Sequence, residues 1–259
     1  MNNRTKGLRF LSLLLCLPMG VIAQSGHLAS SARNVEAGKG DTVVEVSKAP
    51  NQATVNLLVA PLFGEKAKTK EHIAWEIRFL TECDQNFSNR KEASQFFSTR
   101  AWEYLTEGQL DTAAYRFNLA WLLDDKNADT YWGLGVICYQ QDKDPEAIRL
   151  LKKGLEVADT NAVLMTDLAT VQLKYYKENK DSEQLDDAIQ VLQKALKYDQ
   201  TNPNTFMRLS WASFAKGEYA AAWDNLHKAR ALAMDLSAVD FSYLQELLQK
   251  APDPKGFFK

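Results

Sequence analysis

The sequence is poor in the residues that build most enzyme centres. Its three histidines, His27, His72 and His227, stand far apart, and no two have the spacing that puts a zinc pair on one helix face. No phosphate loop, dinucleotide fingerprint or Gly-x-Ser-x-Gly elbow occurs. Asp125-Lys126-Asn127-Ala128-Asp129 begins like a calcium loop, but Thr130 stands where that loop needs glycine and Val136 where it needs a carboxylate. Its polar residues read instead as caps of a helix starting near Asp129. These absences predict no catalytic residue, no metal and no cofactor.

Cysteine is scarce as well. Cys16, Cys83 and Cys138 cannot supply a disulfide framework, so stability must come from packing. Cys138 lies on an apolar helical face and reads as a small buried hydrophobe rather than a bridge to Cys83. There is no dense Lys/Arg tract, and 31 bases face 33 acids, which argues against a nucleic-acid surface. No apolar run is long enough to span a bilayer: Phe10–Ala23 falls short of the roughly 20 residues required, and Pro18 interrupts it. Arg4, Lys6 and Arg9 precede that run and Val21-Ile22-Ala23 closes it, so residues 1–23 read as a cleaved secretory signal. Leu15, large before Cys16, disfavours a lipobox. Cleavage would remove three cations and no acid. The expectation is a mildly acidic exported protein, periplasmic or extracellular, with no membrane span once mature.

What is present is periodicity. Residues 24–53 have the Ser, Ala, Gly, Lys and Glu composition of a solvated tether. Residues 54–93 hold an apolar extended segment, "TVNLLVAPLFG", ended by Pro61 and Gly64, and then a leading helix over about 70–83. That helix is expected to bury Ile73, Ile77 and Leu80, with Trp75 and Phe79 on the flank. Beyond it the chain repeats. Phe97, Tyr131, Met165 and Phe206 are bulky residues spaced by 34, 34 and 41, and the small residues Ala101, Gly135, Ala169 and Ser210 share those spacings. Ala113, Ala147, Ala188 and Ala222 follow at 34, 41 and 34, as do Phe117, Leu151, Leu192 and Leu226, and Ala120, Gly154, Ala195 and Ala229. Each unit reads as two helices around a polar break, with small residues at matched heights so that the backbones approach. The third unit carries seven extra residues between Lys174 and Asp187, about two helical turns, which makes a taller hairpin without rotating its buried face.

The period of 34 and the series Phe97-Ala101-Tyr104-Gly108-Ala113-Phe117-Ala120 resemble the tetratricopeptide repeat. Three departures stand out: Arg100 at a place usually apolar, no unit-ending proline, and the long third unit. The resemblance covers 94–236, as units 94–127, 128–161, 162–202 and 203–236. It implies an all-α, right-handed solenoid of about four hairpins, with the leading helix at one end and a capping helix in 237–259 at the other.

The resemblance also implies a concave groove lined by the first helix of each unit. Matched places in this chain are Trp102, Leu105, Trp132, Gly133, Val136, Tyr139, Thr170, Lys174, Met207, Trp211 and Phe214. Such an aromatic groove suits a protein or peptide partner. The family's peptide-carboxylate clamp uses Lys and Asn here, and with Lys174 as the lone cation that mode is disfavoured. Gly133, beside an exposed Trp132, would let a partner's backbone approach, and an alanine there would gain roughly 1 kcal/mol of helix propensity. Two further readings stand: Thr54–Phe63 could occupy the groove or cross the first hairpins, and the aromatic ridge with Tyr175-Tyr176 could join copies of the chain in an envelope assembly.

Overall fold

A computed structural model describes residues 57–234 and 240–258. The signal reading for 1–23, the tether 24–53 and the start of the apolar segment lie outside the described residues. Those described are helical throughout, with no strand among them: α1 Lys70–Asn86, α2 Arg90–Thr106, α3 Leu110–Leu123, α4 Ala128–Gln140, α5 Asp144–Val157, α6 Ala162–Asn179, α7 Ser182–Tyr198, α8 Pro203–Ala215, α9 Tyr219–Ala231 and α10 Phe241–Lys250. Helices α2–α3, α4–α5, α6–α7 and α8–α9 form four antiparallel hairpins, each packed on the next. First helices touch across hairpins, α2 against α4 and α6 against α8, and so form the inner layer of a helical solenoid.

Local chemistry fixes where each hairpin begins and turns. Asparagine caps every first helix: Asn89, Asn127, Asn161 and Asn202 each accept a bond from a backbone N–H of the first turn. Each turn between paired helices needs one left-handed residue. Gly108 and Gly217 supply it without a Cβ penalty, while Asp142 and Lys180 hold the same conformation with side chains. The repeat columns are the core. Ala101, Ala113, Ala120, Ala147, Ala169, Ala188, Ala195, Ala222 and Ala229 are fully enclosed, with Phe117, Leu151, Leu192 and Leu226 between them. In the fourth hairpin Ser210 takes the small place, and its hydroxyl donates to Ala222 O at 2.6 Å while meeting Tyr243 Oη from α10. Cys83 and Cys138 are buried free thiols, and burial pushes both up to about 11.

Helix α1 is rotated from the face its aliphatic spacing suggested. It buries His72, Trp75, Glu76, Phe79 and Cys83, and leaves Ile73 and Ile77 exposed. Aromatic area decides this, since Trp75 and Phe79 each bury more surface than an isoleucine. Phe79 meets Phe97 of α2 edge-on, and Trp75 lies against Tyr115 of α3.

At the other end α10 covers the fourth hairpin with Tyr243 and Leu247, and the tail folds back on α9. Asp253 holds it: one carboxylate oxygen lies 2.7 Å from His227 Nε2 and accepts the Lys255 N–H, and the other accepts the Phe258 N–H. His227, Trp223 and Phe258 form a mutual triangle of stacked rings, with centroids 5.8 to 6.1 Å apart. Burial pushes the Asp253 carboxyl up, but these three hydrogen bonds outweigh it and leave it below its ordinary value. A carboxylate lowered in the fold stabilises at pH above its unfolded value, near 3.9, and that contribution disappears as pH falls through the folded value. Acid titration should therefore release the tail below about pH 4, read as increased Trp223 emission change, and Asp253→Asn should abolish that transition.

Candidate functional site

The inner layer is built from α2, α4, α6 and α8, which carry all the residues expected to line a groove. The structure encloses most of them. Trp102 and Trp132 are 5% and 3% exposed, and Leu105, Gly133, Val136, Tyr139, Thr170 and Met207 are buried as well. Over the first two hairpins the aromatic residues expected to line the groove are thus covered in this structure. Trp102 stands edge-on to both Phe117 of α3 and Trp132 of α4, with centroids 5.3 and 5.6 Å away, so the three rings make an internal wedge between hairpins. A Cβ on Gly133 would overlap the outer edge of the Phe117 ring, at Cζ and both Cε atoms. Gly133 admits a neighbouring side chain of the same protein, so alanine there is not the stabilising change its exposed-helix reading implied.

Several polar groups of this layer bond from one hairpin to the next. Trp132 Nε1 donates to Asp167 Oδ2 of α6 at 2.9 Å, and Asp167 is fully buried. Arg208 Nε on α8 donates to Thr170 Oγ1 at 3.0 Å, while Thr166 meets Thr205 at 2.8 Å. Desolvation pulls the Arg208 guanidinium down from its ordinary value, with Tyr139 and Asp167 opposing. Lys174 reaches Asp142 at 2.8 Å and Asp144 at 3.0 Å, and lies over the Tyr139 ring at 5.2 Å. With two carboxylates on it, Lys174 serves as a strut from the third hairpin to the second rather than as a ligand cation. Trp132→Phe should lower stability by about 2 kcal/mol or more, because it removes the donor to a buried carboxylate and leaves part of the indole's space unfilled. Chemical denaturation read by circular dichroism measures it.

Two of the expected residues, Trp211 and Phe214, do line an opening. A pocket of about 360 Å³ lies between the ends of α6 and α8 and the start of α10. Its walls are Tyr176, Lys177 and Lys180 from α6, Trp211, Phe214 and Ala215 from α8, and Asp240, Ser242, Tyr243 and Glu246 from α10 and its cap. Tyr176 meets Trp211 edge-on at 6.2 Å, Phe214 meets Tyr243 edge-on at 5.3 Å, and the Lys180 ammonium lies 5.8 Å over the Tyr176 ring. Burial pushes the Tyr243 phenol up to about 12, so it stays a neutral donor. Matching to the groove places missed the α6 wall, of which only Tyr176 was named, as part of a ridge for self-association. The signal was there: the extra residues make α6 18 residues long where α4 and α8 have 13, and the added turn carries Tyr176, Lys177 and Lys180 to this rim.

The apolar segment also has a place. Residues 57–65 cross the outer layer, not the inner one, and are held by Asn118 of α3. Asn118 Oδ1 accepts the Leu62 N–H at 2.9 Å, and its Nδ2 donates to Leu58 O and Ala60 O, each at 2.7 Å. Leu62 and Phe63 are buried to 2% exposure, Phe63 among His72, Trp75 and Trp121. Glu65 then pairs with Arg149 and Lys153 of α5 at 2.9 and 2.7 Å. The groove reading for this segment is corrected to an outer strap across the first two hairpins. The described part, 57–65, follows the second helices because Asn118 and the cations lie there.

No family model and no curated relative matches the chain. Solved structures do. PilF of Pseudomonas aeruginosa superposes with a TM-score of 0.53 at 21% identity, over 62% of this chain and 70% of that one. MamA superposes at 0.47 and 18% identity, over 61% and 86%, and YrrB, titled a tetratricopeptide-repeat protein with an unusual peptide-binding site, at 0.46 and 20%, over 68% and 94%. The chain has the fold of tetratricopeptide-repeat proteins. Among the described residues no helix is long and apolar enough to cross a membrane.

Proposed function

We propose that this chain is a non-enzymatic scaffold of the bacterial cell envelope, exported by residues 1–23, that binds a protein or peptide partner at the far end of its inner layer. The observation that carries this reading is the pocket between α6, α8 and α10. It presents four aromatic walls, Tyr176, Trp211, Phe214 and Tyr243, beside a charged rim of Glu246 and of Lys177, which pairs with Asp240 at 3.9 Å. Aromatic walls with a polar rim suit an apolar side chain of a partner chain, with the rim groups bonding its backbone. The groove residues that remain in the proposed site are Trp211 and Phe214. The others act behind them, since Lys174 and Trp132 tie the third hairpin to the second and Thr170 ties the fourth to the third.

The test is capture from the envelope fraction by the full chain and by Trp211→Ala with Phe214→Ala. A ΔΔG of binding of about 2 kcal/mol or more is expected from two central aromatic anchors, a loss of about 30-fold. Both residues are half-buried at an opening, so the hairpins should persist, which circular dichroism checks. A partner retained equally by the double variant would refute the pocket as its site, and its recovery in cytoplasmic material alone would refute the envelope assignment.

A further inference from the structure

The strap 57–65 is held more like a bound peptide than like a loop. One fully buried side-chain amide, Asn118, reads three of its backbone groups, and two basic residues of a different hairpin take its terminal carboxylate. It fills two separate parts of the core, Leu62 among the residues around Phe117 and Phe63 among those around Trp75. Its backbone is strained: Leu62, Phe63 and Glu65 have φ of 52°, 55° and 49°, and with Gly64 they form a left-handed turn that non-glycine residues adopt singly, not in succession. The strap is joined to α1 only by 66–69, an exposed, non-helical linker.

We propose that the outer cleft between α3 and α5 is a peptide-binding site that exchanges its occupant, and that the strap of a second copy of this chain takes it in trans. Any occupant must fill both apolar holes, offer its backbone to Asn118 and place a carboxylate by Arg149 and Lys153. The second copy's own 57–65 meets all three demands with the same contacts. Exchange then keeps every contact, the left-handed turn included, and changes only the path of the linker 66–69. A short hinge such as the extended linker 66–69 favours this kind of swap. The surface is distinct from the inner pocket, so the two sites fail or succeed independently.

The test deletes Ala67 and Lys68 from the full chain, which makes the linker too short to close in cis. Sedimentation equilibrium should show a dimer for this variant at concentrations where the unaltered chain is mostly monomer, and adding Leu62→Ala with Phe63→Ala should return it to monomer. A folded monomer for the deletion variant overturns the proposal. If the deletion variant does not fold, a labelled peptide of residues 54–68 decides. Glu65→Lys leaves the core filled but loosens the resident strap, so that chain should bind the peptide at least 10-fold tighter than the unaltered chain does. The same peptide carrying alanine for Leu62 and Phe63 should bind neither. Absence of binding, or equal binding of both peptides, overturns the exchange.

Discussion

Gly133→Ala should destabilise the protein by about 2–3 kcal/mol, although the residue sits in the middle of a helix, where the same change ordinarily gains roughly 1 kcal/mol. The added methyl would overlap Cζ and both Cε atoms of Phe117. A ring can step aside only into space, and Phe117 has none: it is fully buried and stands edge-on to Trp102, which stands edge-on to Trp132. The overlap must then push α3 away from α4 and loosen the first hairpin's seat on the second. Gly135→Ala is expected to cost less, since there the new atom comes no nearer than 2.8 Å to Leu151 Cγ and 2.9 Å to its Cδ2, a milder overlap than that on the Phe117 ring. Urea unfolding of both variants measures the difference. The cause is isolated by Phe117→Leu: with Gly133→Ala it should lose less than the two single losses added, because the smaller side chain vacates the space the methyl needs. Equal stability of Gly133→Ala and the unaltered chain would show that the ring does move.

The contrast between those two glycines shows what the sequence could carry. Gly135 falls in the column of Ala101, Ala169 and Ser210, so its packing role is visible from spacing alone. Gly133 falls in no column, because the ring that needs it belongs to one unit only: Leu151, Leu192 and Leu226 stand where Phe117 does. Repeat arithmetic finds what every unit shares and is blind to a contact made once. The same reason hid Asp167 and Arg208, which tie the inner layer together through side chains that occur in single units. It also made Trp102 and Trp132 seem like surface, since a position that faces outward in an average repeat faces a neighbour's tryptophan here. One shared signal went unread, the asparagines Asn127, Asn161 and Asn202 that open successive hairpins at the repeat spacing. The pocket was half legible: Trp211 and Phe214 came from the repeat, but its α6 wall comes from the length by which the third unit departs from it.

Asn118→Ala should cost about 3–5 kcal/mol. The amide is fully buried and bonds the Leu62 N–H and the carbonyls of Leu58 and Ala60. Alanine removes those bonds while leaving the three backbone groups facing α3, and each buried polar group left unpaired costs roughly 1–3 kcal/mol. Water can recover part of this only if the strap lifts, and lifting it uncovers Leu62 and Phe63, whose burial contributes roughly 1.5–3 kcal/mol each. Both routes lead to loss of the strap, so the measurable effect divides by location. Hydrogen exchange should speed up at Leu62 and along α1, which rests on Phe63, while α8 and α9 keep their protection, because neighbours in a solenoid communicate mainly with neighbours. Asn118→Asp is the informative companion. It keeps the acceptor for the Leu62 N–H but turns the donor to Leu58 O and Ala60 O into a second acceptor aimed at two carbonyls, so it should be no better than alanine at neutral pH. Full exchange protection of Leu62 in Asn118→Ala would show that the apolar plug alone seats the strap.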